Sequence, residues 1–266
     1  MTQMDQYQRN GLVIVALPDA VLKLKLQLAE QLCLWLKLWG NIDCSAEQLP
    51  QMLMLVARDN RPLLGKLYKV ARRFPALKQL ACEPQLVAMA AELMQTPLVS
   101  CCNFVCLRFD IPGEDKYLLG THQDFPYIQG SENGLTLWLA LGDVSLEMGP
   151  PSFAAGSHRL GVLPVTELSL AQTYGQNGGS TMSIADPHLF SNAHFFNQPL
   201  PNHQALAFST LLLHRSEQNL SQSVRISIQL RFDDVLHQKS FERNYPEGLY
   251  LNNSFEASYP EYVIKN

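Results

Sequence analysis

Three residues of this sequence, His122, Asp124 and His214, have the types and spacing to hold a transition metal. In an extended His122-Gln123-Asp124 segment the first and third side chains leave the same side, so an imidazole nitrogen and a carboxylate oxygen can reach one point. His214, at the end of Leu211-Leu212-Leu213-His214, supplies the third ligand from far downstream. Two histidines and one carboxylate make a facial triad with adjacent open positions, which suits non-haem Fe(II) oxygenases. Arg225 follows, with Ser227 beside it on the same face. An oxygenase that consumes 2-oxoglutarate needs a buried cation for the distal carboxylate. A guanidinium offers a planar fork that does not lose its proton, and a hydroxyl can add one donor. Each piece alone arises by chance; the combination carries the reading.

The elements that must position these residues follow from periodicity. In Val224 to Phe232 the alternation is unbroken. Val224, Ile226, Ile228, Leu230 and Phe232 share one face, and Arg225, Ser227, Gln229 and Arg231 share the other. In Leu135 to Leu141 the leucines share a face opposite Thr136, Trp138 and Ala140. Such polar faces line either bulk water or a wet cavity, and periodicity alone does not separate the two. Strands are expected at 99–110, 117–124, 134–142, 151–155, 205–214 and 224–232. Residues 1–97 read as mainly helical after a short apolar run, Leu12 to Ala16, that fits a strand. Asp19 is placed to cap a helix ending near Gly40. Lys23 to Leu28 also alternates with period two, but about 20 residues exceed a usual strand. Ser45 and Gln48 have capping-box spacing, Asn60-Arg61-Pro62 opens another helix and Pro84 suits the first turn of a third. Helices first and strands second predict an α+β fold. The stretch 166–203, rich in Gly, Ser, Asn, Gln and Pro, is expected to be an ordered insertion or a mobile lid.

Composition narrows the class. The chain has 266 residues, 47% hydrophobic and 17% charged, which excludes a wholly disordered chain and allows a sizeable core. The net charge is −4 and no Lys/Arg block stands out, so no nucleic-acid partner is expected. Lys23, Lys25, Glu30 and Lys37 interrupt the apolar stretch Val21 to Trp39, so no membrane span is expected. The polar start and the Val263-Ile264-Lys265-Asn266 end carry no address, and a cytoplasmic protein is the default expectation. Of the six cysteines, Cys101, Cys102 and Cys106 cluster, but without two spaced pairs they read as reduced thiols packed as small hydrophobes.

The chain resembles the phytanoyl-CoA dioxygenase family of Fe(II)/2-oxoglutarate-dependent oxygenases. The resemblance rests on His122-Gln123-Asp124, then Trp138 to Val144, then Glu147-Met148-Gly149-Pro150-Pro151-Ser152-Phe153 leading into Gly156-Ser157-His158-Arg159. It continues with His214-Arg215-Ser216, Asn219, Ser221 and Arg225-Ile226-Ser227, in the family's order across roughly residues 99–234. The resemblance implies a double-stranded β-helix (jelly-roll, cupin-like) core in residues 98–235, backed by the N-terminal helices and followed by a 236–266 extension, all one domain. It implies His122, Asp124 and His214 as iron ligands, Arg225 and Ser227 as binders of the far carboxylate of 2-oxoglutarate, and Gln123 and Trp138 close to that cosubstrate. It also implies hydroxylation of an unactivated C–H bond of a small organic molecule, with O2 consumed and succinate and CO2 released. Asp124 fills the position that halogenating relatives leave to chloride, which favours hydroxylation.

Other residues have plainer readings. His158 reads as a turn residue bonding backbone, and Asp186-Pro187-His188 as an extended loop without a third ligand. His194 and His203 lie in the variable stretch, and His237 beyond the last core strand. Arg108 and Asp110 read as a strand-end surface pair, or else as contacts at the barrel mouth. Gln229 and Arg231 share the face of Arg225, although Arg231 near the strand end has a solvated alternative. Tyr245, Tyr250, Phe255, Tyr259 and Tyr262 are dense enough to predict packing onto the body or onto a second subunit; a monomer and a homodimer both remain open. The alternative functions are a jelly-roll that holds a metal for non-oxidative chemistry, and a binding module without catalysis.

Overall fold

The computed structural model describes residues 2–115, 118–167, 182–248 and 254–264. The chain opens with α1 (Gln3–Asn10), where Thr2 and Asp5 cap each other and Gly11 (φ 75°) ends the helix. Then come β1 (Leu12–Ala16) and α2 (Asp19–Gly40). Pro18, not Asp19, occupies the N-cap of α2, so Asp19 sits in the first turn, where its charge meets the positive helix end. The helix wins over the period-two alternative because Val21, Leu28, Leu32 and Leu36 all become fully buried on one face. The mismatch is visible: Leu26 is left 53% exposed while Lys25 is buried and bonded to the oxygens of Asn202. Next are α3 (Leu49–Asp59), α4 (Arg61–Ala71), α5 (Pro75–Ala81) and α6 (Pro84–Met94). Asn60 caps α4 through Leu63 N, and Glu83 caps α6 through Gln85 N and Leu86 N.

The strands follow: β2 (Val99–Cys101), β3 (Cys106–Asp110), the one-turn helix α7 (Phe125–Ile128), β4 (Gly134–Ala140), β5 (Ser152–Ala154), β6 (Val165–Glu167), β7 (Met182–Ile184), β8 (Phe195–Phe196), β9 (Gln204–Ser209), β10 (His214–Arg215) and β11 (Arg225–Asp234). The main antiparallel sheet runs β1-β9-β4-β11, with β2 and β3 both on the far edge of β11. A smaller sheet, β10-β5-β8, faces it, and β6 pairs with β7. This is an α+β molecule with a jelly-roll core.

The leucine face of β4 and the apolar face of β11 join the helices in one core with Leu28, Leu32, Leu53, Leu67 and Leu77. The opposite faces are buried as well. Arg225, Ser227 and Arg231 are buried and Ser227 lies in register with Arg108 and Ala140, so the polar face of β11 lines a cavity.

Three further expectations need correction. The expected strand 99–110 is two strands. More residues lie between Cys101 and Cys106 than between their partners Phe232 and Gln229, so the chain bulges between them. The expected strand 117–124 begins outside the described residues, and its described part, 118–124, reduces to one bridge, His122 to His214, because the backbone turns helical at Asp124 (φ −71°, ψ −29°) to start α7. The expected strand 205–214 stops at Ser209, and the chain then crosses to the smaller sheet at His214. The Gln123 side chain does not line the cavity that Trp138, Arg225 and Ser227 line. As the middle residue of its triplet it leaves the far side, where Nε2 donates to Gly161 O (2.8 Å) and Leu211 O (2.7 Å) and Oε1 accepts from Leu163 N (2.9 Å). In the stretch 166–203, residues 168–181 lie outside the described residues, and those described include the short strands β7 and β8.

Two stability predictions result. Gln123→Leu strands one buried amide and two carbonyls and should lower unfolding free energy by about 2–4 kcal/mol in a denaturant titration. An unchanged midpoint would contradict the staple. Gly149 sits at φ 66°, and a Cβ there would come 2.1 Å from Gln218 O. Gly149→Ala should therefore cost about 2 kcal/mol or more by the same assay.

Candidate metal centre

His122 and His214 pair through their own backbones. Each amide donates to the other's carbonyl, at 2.9 and 3.1 Å. That reciprocal bridge fixes the two imidazoles with ring centroids 4.2 Å apart. Each ring is then oriented by a carbonyl two residues earlier: His122 Nδ1 to Gly120 O (2.7 Å) and His214 Nδ1 to Leu212 O (2.9 Å). An Nδ1–H donated to a carbonyl leaves Nε2 as a bare lone pair. Both Nε2 atoms lie 3.8 Å from Asp124 Oδ1. The three donor atoms all fall within 4.8 Å of one another, and all three residues are buried. The turn into α7, rather than strand periodicity, aims Asp124 at the histidines.

The other carboxylate oxygen is held from behind. Asp124 Oδ2 accepts from Thr136 Oγ1 (2.7 Å) and Arg231 Nε (3.4 Å). Thr136 and Arg231 are register partners on β4 and β11, so one cross-strand pair anchors the carboxylate. Burial pushes His122 down to about 3, helped by neighbouring His214, and burial also lowers His214. Burial alone would raise Asp124, but Arg231, then the two imidazoles and the Thr136 hydroxyl, hold it below the usual carboxylate range. The set at neutral pH is two uncharged imidazoles and one carboxylate, the protonation state that a divalent cation needs.

The donors open on a cavity of about 170 Å³. Trp138, Arg225 and Ser227 line it, and Gln229, Arg231 and Phe208 join them. Arg225 is buried and not free: it contacts Asp110 Oδ2 through Nη2 (3.0 Å) and Nε (3.3 Å), and Nη1 donates to Met148 O (3.0 Å). Arg108 Nη2 binds the other oxygen of Asp110 at 2.8 Å. Two guanidiniums around one carboxylate leave one positive charge in excess. Ser227 Oγ and Arg231 Nη1 are buried without a hydrogen-bond partner. Orphaned polar atoms in a cavity behind convergent donors fit a site that takes a metal and an anionic ligand.

Arg108 and Asp110 are therefore mouth residues and not a solvated strand end, and Arg231 is buried against Asp124. The sequence put Thr136 on the face of Trp138 without a role, and that shared face was the signal. Asn219 and Ser221 serve the loop before β11: Asn219 Nδ2 donates to Asp110 O and Ser223 O, and its Oδ1 accepts from Ser221. Phe255 and Tyr259 pack edge-on against Phe125 at 6.0 and 5.0 Å, so the aromatic tail buttresses α7 just after Asp124. Tyr250 lies outside the described residues. His158 bonds Gln8 O, and Asp186 caps a short turn through His188 N, both away from the cavity. Among the described residues, His122, Asp124 and His214 are the only such ligand group, and Cys101, Cys102 and Cys106 are free thiols.

Comparison with known proteins agrees with this geometry. The family model for phytanoyl-CoA dioxygenase (PhyH) matches residues 57–227. A curated rat (Rattus norvegicus) relative, phytanoyl-CoA dioxygenase domain-containing protein 1, is 27% identical over 154 residues. The match covers 57% of this chain and half the length of that relative. Among solved structures, the epimerase SnoN in complex with Fe3+, alpha ketoglutarate and nogalamycin RO has a TM-score of 0.56 at 19% identity, covering 87% of this chain and 82% of its own. EctD from S. alaskensis with bound Fe has a TM-score of 0.57 at 14% identity, covering 88% and 76%. The carbocyclase SnoK has a TM-score of 0.56 at 18% identity, covering 92% and 90%. At such identities the likeness is one of fold. The matched model spans well over half the sequence and includes every residue of the buried triad, and the chain belongs to the phytanoyl-CoA dioxygenase family.

Proposed function

We propose that this chain is an Fe(II)/2-oxoglutarate-dependent oxygenase that hydroxylates an unactivated C–H bond of a small organic molecule. The observation that carries the reading is the convergence of two neutral, carbonyl-oriented imidazoles and one doubly anchored carboxylate on one cavity. His122, Asp124 and His214 would hold the iron. Ferrous iron with 2-oxoglutarate and O2 supplies an oxidant able to attack an unactivated C–H bond, releasing succinate and CO2.

The chain's own residues do the rest. Arg225 would take the distal carboxylate, drawing on the positive charge that Asp110 does not cancel, and Ser227 Oγ would gain the partner it lacks. Trp138, whose ring lies 5.9 Å from the Arg225 guanidinium, restricts where that group can turn. Thr136 and Arg231 keep Asp124 Oδ2 occupied, so Oδ1 is the oxygen offered to the metal. Phe153 and Phe208 pack on the His214 ring and exclude water from that side. The Asp124 carboxylate occupies a position that a halide would need, which supports hydroxylation over halogenation. No helix among the described residues is long and apolar enough to cross a membrane.

The test is spectroscopic. Anaerobic protein loaded with Fe(II) should develop a visible charge-transfer band on addition of 2-oxoglutarate. His122→Ala should abolish the band. Arg225→Ala should need at least about tenfold more 2-oxoglutarate, the worth of a lost charge-assisted pair. A folded, iron-loaded wild type without any band contradicts the proposal. Thr136→Val should weaken iron affinity by about tenfold in a chelator competition. An unchanged affinity would remove Thr136 from the site.

A further inference from the structure

Arg231 is the cavity residue that the proposed function leaves with an unmade bond. Its guanidinium is buried and fixed on two sides: Nε contacts Asp124 Oδ2 at 3.4 Å and Nη2 donates to Gln229 Oε1 at 2.6 Å. Nη1 is buried with no partner. An unsatisfied donor on a buried cation is costly, and such a group persists where a ligand completes it. Arg231 lines the cavity that holds the three convergent ligands. Charge points the same way. Asp124 carries one negative charge, which a divalent metal and Arg231 would have to share, leaving the metal end of the cavity short of anionic charge.

We infer that Arg231 is a second anion-binding residue of the cavity, whose Nη1 donates to a carboxylate oxygen of the ligand at its metal-bound end. The inference rests on the 2-oxoglutarate reading and divides the cosubstrate between two arginines of one strand face. Arg225 takes the distal carboxylate, and Arg231 takes the carboxylate beside the keto group. Arg231 thereby has two tasks, binding through Nη1 and orienting Asp124 through Nε. Gln229 is the residue that fixes its plane.

The experiment compares two probe acids on anaerobic, Fe(II)-saturated protein by calorimetry. 2-Oxoglutarate has both ends; oxalate chelates the metal but lacks the distal carboxylate. Iron affinity is measured separately, so a purely structural loss at Asp124 is seen as weaker iron and not as weaker acid. Arg231→Met should weaken both acids by about tenfold to a hundredfold. Arg225→Met should weaken 2-oxoglutarate and leave oxalate unchanged. Arg231→Lys, which keeps the charge and loses the fork, should recover part of the oxalate affinity. Wild-type binding of both acids with no loss in Arg231→Met overturns this inference alone. A wild type that takes up iron and binds neither acid overturns the 2-oxoglutarate reading and this inference with it. Should Arg231→Met fail to fold, Arg231→Lys decides: oxalate affinity equal to wild type overturns the inference, and a clear loss supports it.

Discussion

A carboxylate buried between two uncharged imidazoles is the constraint on which this structure turns. Asp124 has little water to solvate it, and neither histidine is protonated to compensate it. Its charge is sustained from behind, by Arg231 and the Thr136 hydroxyl on Oδ2. That leaves Oδ1 facing two nitrogen lone pairs. Such an arrangement is electrostatically incomplete by itself, and a divalent cation at the shared point would complete it.

The fold supplies this geometry from distant parts of the chain. His122 and Asp124 come from the segment that turns into α7, and His214 from the point where the chain crosses between sheets. The reciprocal bridge between His122 and His214 makes their separation a matter of backbone pairing, not of flexible side chains. Around them, β4 and β11 are buried on both faces, with leucines and isoleucines toward the helices and arginines, serine and tryptophan toward the cavity. The helical half thus gives the sheet an apolar side to rest on, and the opposite side is left to chemistry.

Much of this was legible in residue types. His122, Asp124 and His214 were readable because few side chains bind iron, and Arg225 and Ser227 because unbroken alternation put them on one face. The leucine face of β4 followed from the same parity. What stayed hidden depended on contacts rather than pattern. Parity put Arg231 on the face of Arg225 but did not say that it would be buried against Asp124, and it did not make Asp110 a shared partner of Arg108 and Arg225. The helical turn at Asp124 broke the assumed strand, so the triplet reached its geometry by a different route. Gln123 took the face that its odd position dictated. Strands β6, β7 and β8 are too short to register as periodicity, and polar α1 hides its capping box in an otherwise featureless start.

X-ray absorption at the metal edge of anaerobically loaded protein reads the central claim most directly. The account predicts one iron per chain with oxygen and nitrogen neighbours, the multiple-scattering signature of two imidazoles, and no sulfur. Fewer than two imidazoles, sulfur in the coordination sphere, or a folded protein that takes up no metal would contradict it.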